Sequence, residues 1–218
     1  MSEYWFPYFG PLVVKTEISE SFRKKLLLEG KHSKIERLLH TDQLVGMIKE
    51  EFLIENPESW FIPEFSPLLS LYQNIAEQDW NETTTELQKP YEISNMELWI
   101  NYQKCKEFNP RHNHSGDLSF VIYLKIPKEL KEENKQTKAK HNNNGTGTIE
   151  FTYGEKLLFN KTGFSHLPKE GDVYIFPSWL NHSVLPFFSD VERITAAGNI
   201  FLKRNVKDFV DILTWEHR

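Results

Sequence analysis

HNHSGDLSFVIYL, residues 112–124, is the stretch whose reading decides the fold. Two histidines open it two positions apart, and an apolar run of β-branched and aromatic residues closes it, the composition of a strand. Residues i and i+2 of a strand project to one face, roughly 6.6 to 6.8 Å apart along it. His112 and His114 can therefore lean toward one metal ion, and imidazole suits iron, zinc, copper and nickel. A third imidazole stands in GDVYIFPSWLNHSV, residues 171–184, which reads as a turn, a strand over 172–176, a ladder ended by Pro177, and His182 at a rim. Arg193 follows in ERITAAGNIFL, residues 192–202, with Thr195 on the same strand face. A guanidinium fork matches a carboxylate in shape as well as charge. Three imidazoles and one guanidinium thus outline a mononuclear metal site beside an anion-binding arginine.

Outward from this centre the period stays at two. Met96, Leu98, Ile100 and Tyr102 alternate with Glu97, Trp99, Asn101 and Gln103, and further strands are expected at 118–126, 148–153, 156–159 and 193–202. Upstream the chain reads as helical support: a strand near 12–18, a helix over 19–29 capped by Ser19 and ended by Gly30, a more polar helical stretch to about Glu51, and a helix begun by Ser66-Pro67. Helices first and a dense series of strands afterwards predict helices buttressing one face of a β-sandwich rather than a βαβ alternation. The expected organisation is one domain over residues 1–218: helical support to 95, a β core over 96–203, and a tail from 204.

An HxH pair, a distal histidine about ten residues before an arginine, and an Arg-x-Thr pair together resemble the double-stranded β-helix oxygenases dependent on iron(II) and 2-oxoglutarate. Residues 99–202 are similar to the small prolyl-hydroxylase-like members found in bacteria and phages. The resemblance implies a jelly-roll, cupin-like barrel, mainly β with supporting N-terminal helices. It implies iron(II) on His112, His114 and His182, and 2-oxoglutarate held by Arg193, Thr195 and Tyr123, with ascorbate as an optional addition. The activity implied is oxidative decarboxylation of 2-oxoglutarate coupled to hydroxylation of an unactivated C–H bond. The substrate would be a prolyl residue in a peptide or a small metabolite, and the compartment the cytoplasm of a bacterial or phage-infected cell. The usual triad of that superfamily is two histidines and a carboxylate, whereas position 114 is His. Either three neutral histidines hold the metal, or Asp117 supplies the carboxylate after a turn at Ser115-Gly116. Three histidines need no special turn. The HxH motif also resembles the first motif of the cupins, which leaves a metalloenzyme without 2-oxoglutarate as the alternative and a non-catalytic β-sandwich binding module as a second.

Ordinary explanations exist for each residue taken alone. Arg193 can neutralise Asp190 or Glu192, Tyr123 can be core, Cys105 reads as a small buried hydrophobe, and Trp179 lines the substrate opening or merely packs. His32, His40, His141, His166 and His217 read as structural or exposed. The aromatic cluster Tyr4, Trp5, Phe6, Tyr8 and Phe9 packs on the sandwich or, if exposed, forms a homodimer surface.

A net charge of −5 over 218 residues, without a Lys/Arg cluster, offers no footprint for nucleic acid. One cysteine excludes an intrachain disulfide framework and fits a reducing compartment. No apolar run reaches spanning length and no leader is visible, so a membrane partner is not expected. Residues 128–144, KELKEENKQTKAKHNNN, read as a solvated excursion between strands or as a mobile lid.

Overall fold

A computed structural model describes residues 10–41, 46–79, 87–141 and 145–205; the aromatic cluster at 4–9 and the tail beyond 205 lie outside them. Ten strands and three α-helices are described. Strands β1 (Val14–Glu17), β2 (Glu51–Leu53), β3 (Ile93–Gln103), β5 (Leu118–Lys125), β8 (Asp172–Pro177) and β10 (Arg193–Leu202) make a six-stranded sheet in the order β1-β8-β5-β10-β3-β2. Strands β4 (Asn109–His112), β6 (Ile149–Thr152), β7 (Gly163–His166) and β9 (Asn181–Val184) make a second sheet in the order β4-β9-β6-β7. The chain folds as the double-stranded β-helix, two antiparallel sheets facing one another rather than a closed barrel.

Strand parity divides the large sheet into two chemistries. Leu98, Ile100 and Tyr102 of β3, Ile122 and Leu124 of β5, Val173 and Ile175 of β8 and Ile194 and Ala196 of β10 point to one face. There they pack on Phe22 and Leu26 of α1 (Glu20–Ile35) and on Phe61, Phe65 and Leu69 of α2 (Phe61–Asn74). The opposite face turns toward the second sheet. Tyr123, Tyr174 and Phe176 meet Ile149 and Phe151 across the gap at one end, and a cleft fills the other. The helices therefore hold the outer face dry and rigid while the inner face carries polar side chains.

Several expectations need correction. Ser19 does cap α1, accepting from the Phe22 amide at 3.2 Å. The helix, however, runs through Gly30, because that glycine is a contact and not a stop: a Cβ there would lie 2.0 Å from Cδ1 of Ile100. Of the polar stretch after Gly30, residues 31–35 continue α1, but the described residues over 36–50 form no α-helix and lead into β2, which pairs with β3. Ser66-Pro67 does not start α2. The helix begins at Phe61 and carries Pro67 inside, with the Ser66 hydroxyl turned back onto the Ile62 carbonyl at 2.8 Å. Pro177 stays in the ladder, opposite Leu118. Residues 156–159 form a turn, not a strand, with Leu158 and Phe159 projecting into solvent.

The polar excursion is mostly a helix, α3 (Lys128–His141). Leu130 is fully buried, and Asn134 donates to the Thr146 carbonyl at 2.6 Å. Glu133 accepts from the amides of Phe188 and Ser189 and from the Ser189 hydroxyl. A helix anchored in this way is a strut, so the mobile-lid reading is dropped.

At Gly198 the central strand β10 passes so close to its neighbours that a Cβ would lie 2.3 Å from the Glu97 carbonyl oxygen and 2.6 Å from the Phe120 ring. Gly198→Ala is therefore expected to destabilise the protein by about 1 to 3 kcal/mol, the usual cost of overpacking. The denaturant midpoint would fall accordingly.

Candidate active site

His112 ends β4 and is the direct cross-strand partner of His182 on β9. His114 lies just past the strand, its amide donating to the Ser178 carbonyl at 2.9 Å. Gly116, at φ 91°, then turns the chain into β5 where a Cβ would crowd the Ile200 carbonyl. The result is a cluster of three imidazoles that can each offer a nitrogen within 4.8 Å of the others. Nδ1 of His112 faces the Pro110 carbonyl at 2.7 Å and Nδ1 of His182 the Leu180 carbonyl at 3.0 Å. Backbone acceptors of this kind fix the tautomer and leave Nε2 free to ligate. Nε2 of His114 and Nε2 of His182 stand 3.2 Å apart. Burial lowers the basicity of all three rings, taking His182 to about 3 and His114 to about 4 with His112 adding to both, and pushing His112 down as well. At neutral pH the cluster is uncharged, which is the form a metal requires.

No carboxylate joins the cluster among the described residues. Asp117 turns away, accepting from the Leu202 amide at 2.8 Å and pairing with Arg204. The alternative in which Asp117 replaces His114 therefore has no support in the geometry.

Arg193, at the start of β10, is 2% exposed. Its guanidinium donates to the Gly147 carbonyl at 2.6 Å and to the Gln103 side-chain oxygen, while Nε has no partner. It lies over the rings of Tyr123 and Phe187, at 5.8 and 5.9 Å. Neither Asp190 nor Glu192 pairs with it; Glu192 goes to Lys125 at 3.6 Å. Burial pulls the guanidinium below its ordinary value, with the Tyr123 phenol partly opposing. Tyr123 is buried, its hydroxyl has no partner, and burial raises it to about 12. Thr195 accepts from the Asn101 amide at 3.1 Å.

These residues share one cleft, open to solvent at its mouth. Arg193, Tyr123 and Thr195 line it together with His112, His114 and His182. Trp179 is not part of its wall; the ring is half exposed and rests 5.7 Å from Tyr153. Cys105 is half-buried, with its thiol on the Phe188 carbonyl.

Four polar wall residues are not candidates from the sequence: Gln103, Asn101, Asn109 and Glu51. The first two were legible in principle, since they alternate with the apolar positions of β3 and occupy the face turned away from the helices. Glu51 was not, because only the pairing of β2 with β3 brings it opposite Asn101. Continuing across the large sheet, Asn101 faces Thr195 and Thr195 faces Tyr123, so Glu51, Asn101, Thr195 and Tyr123 stand in one lateral row.

Glu51 is 1% exposed, and burial, with the nearby Glu107 adding, raises its carboxyl to about 8. A carboxyl raised on folding contributes stability that is complete below pH 4.5 and is lost as pH rises toward 8, because only the unfolded chain releases the proton in that window. Glu51→Gln removes this dependence. Its melting temperature is expected to exceed the parent's by several degrees at pH 8 and to match it near pH 4.5, as scanning calorimetry at the two pH values would read.

Residues 97–199 match the family model described as "Putative 2OG-Fe(II) oxygenase". This segment, which holds the three histidines, Tyr123, Arg193 and Thr195, is the part of the chain that resembles the 2OG-Fe(II) oxygenase family. The fold is similar to that of a Pseudomonas putida prolyl-4-hydroxylase, with a TM-score of 0.57 at 15% identity over 88% of this chain and 93% of that one. It is also similar to a Trichoplax adhaerens prolyl hydroxylase in complex with a hypoxia inducible factor oxygen degradation domain peptide fragment, with a TM-score of 0.53 at 12% identity over 88% and 83%. No curated protein matches the chain. Iron(II) and 2-oxoglutarate are the metal and co-substrate of this family. The residues present fit both, through three neutral imidazoles for the metal and a buried guanidinium without a carboxylate for the dianion. No helix among the described residues is long and apolar enough to cross a membrane.

Proposed function

We propose that the chain is a 2-oxoglutarate-dependent dioxygenase that hydroxylates an unactivated C–H bond, with His112, His114 and His182 as iron ligands. Arg193, Tyr123 and Thr195 would grip the far carboxylate of 2-oxoglutarate. The observation that carries this reading is the buried Arg193 guanidinium, unmatched by any described carboxylate and opening on the same cleft as the histidine cluster. Burying a charge unpaired is costly, so a site that does so is built for an anion that arrives later. Bound iron(II) and 2-oxoglutarate supply the oxidising chemistry, dioxygen being reduced as 2-oxoglutarate loses carbon dioxide to give succinate. The protein's own work is orientation. Gly147 and Gln103 fix the guanidinium, backbone carbonyls fix two of the imidazoles, and the aromatic core from Phe151 to Phe176 keeps one end of the gap closed to water.

The substrate would be a prolyl residue of a peptide or a small metabolite, met in the cytoplasm. A cupin-like metalloenzyme would use the same histidines but give Arg193 nothing to hold. Reconstitution without dioxygen separates the two: adding 2-oxoglutarate to the iron(II)-loaded protein should produce a weak visible charge-transfer band, and admitting air should yield succinate. A protein that binds iron but shows neither supports the cupin-like reading instead.

A further inference from the structure

The cleft is polarised. Among the described residues, the buried side-chain polar atoms that lack any partner include a hydroxyl and an Nε–H at one end, on Tyr123 and Arg193, and three oxygens at the other, on Glu51, Asn101 and Asn109. All five residues line the same cavity. The lateral row from Tyr123 through Thr195 and Asn101 to Glu51 spans three strand spacings, roughly 14 Å, so the two ends are separated by about the length of a small molecule. Asn109 adds its oxygen from the facing sheet, on β4, where Gly46 leaves room beside it. Buried acceptors left unmatched are costly and rare. Three of them lining one cleft, two from the large sheet and one from the facing sheet, need a ligand rich in N–H or O–H donors.

2-Oxoglutarate cannot be that ligand. As a dianion it brings only acceptors, and these belong at the guanidinium end; the Asn101 and Asn109 oxygens would offer them no donor. A prolyl residue inside a peptide brings no N–H either. An ammonium or guanidinium group carries three to five donors and no acceptor, and its charge answers the carboxylate.

We propose that Glu51, Asn101 and Asn109 form the substrate subsite of this oxygenase, and that the substrate presents a cationic amino or guanidino group to it. This rests on the oxygenase reading above and narrows its substrate class. The raised Glu51 carboxyl agrees with it, since a cation beside Glu51 would restore the charge that burial suppresses.

The test uses the full chain loaded with iron(II) and 2-oxoglutarate in the absence of dioxygen, titrated calorimetrically at pH 7 with two matched pairs that carry no other charge: n-butylguanidine against n-butylurea, and n-butylamine against n-butanol. Expected is at least tenfold tighter binding of a cationic member than of its neutral twin. That preference should shrink at least tenfold in Glu51→Gln, a near-isosteric change, and shrink again in Asn109→Ala on the other sheet. Equal binding within both pairs, no binding of either cation, or a preference that survives in both variants overturns the proposal. A separate titration of the iron-loaded parent with 2-oxoglutarate distinguishes the two failures. If 2-oxoglutarate does not bind, the oxygenase reading falls and the subsite with it. If it binds and the cations show no Glu51-dependent preference, the subsite alone is wrong.

Discussion

Alanine at His182 is expected to leave a folded protein that no longer retains iron(II) through gel filtration, with succinate formation reduced by more than about a hundredfold. Loss of a ligand's outer partner alone typically costs 10 to 100-fold, and here the ligand itself is removed. His182 is the most enclosed of the three rings, 5% exposed, paired across strands with His112 and packed 4.8 Å from the Phe176 ring. Nothing else among the described residues can replace it, since no fourth histidine, cysteine or carboxylate joins the cluster. The folded state should tolerate the change. Metal content by elemental analysis and a melting curve on the same sample check both halves; retention of iron at one equivalent would remove His182 from the ligand set.

The second large effect is at Arg193. Arg193→Ala is expected to raise the 2-oxoglutarate concentration needed for half-maximal succinate formation by an order of magnitude or more, about 1.4 kcal/mol or above, while iron binding persists. Lysine should not rescue it. The arginine spreads two donors between the Gly147 carbonyl and the Gln103 side chain while keeping Nε free, and a single ammonium cannot satisfy both and still face a carboxylate in the cleft. Unchanged half-saturation in the alanine variant would detach Arg193 from the co-substrate.

What could be read from the chain follows the range of the interactions involved. Strands β3, β5 and β10 were legible because each is long and one face must be apolar against the helices, which imposes period two. Arg193 was legible because it opens β10, and the three histidines because of their spacing alone, since His114 lies past β4 and β9 carries no strand signature of its own. Glu51 was invisible because its role depends on β2 adding to the edge of β3, a pairing between segments some fifty residues apart with no local signature. Helix α3 was missed because its solvent face dominates its composition, and the side chains that anchor it, Leu130, Glu133 and Asn134, gain meaning only from partners near Thr146 and Phe188. The false strand at 156–159 is the converse: Leu157, Leu158 and Phe159 look like a core segment, but Phe159 takes a left-handed turn at φ 65° and the group faces solvent. Hydrophobicity without a partner sheet does not make a strand.

Helix α3 does more than close a gap between β5 and β6. Through Asn134 it holds the Thr146 carbonyl, next to the Gly147 carbonyl on which Arg193 rests, and Leu130 packs under that same glycine. Through Glu133 it holds the Phe188–Ser189 turn that leads into β10. The guanidinium and the helix thus rest on adjoining carbonyls of one short segment, and they are expected to open as a unit. A ligand that binds the closed form suppresses opening by mass action, a hundredfold excess over its dissociation constant contributing about 2.7 kcal/mol. The slowest-exchanging amides of α3, which lies outside the cleft wall, should therefore exchange more slowly still when 2-oxoglutarate is bound, making this helix a remote gauge of how full the co-substrate site is.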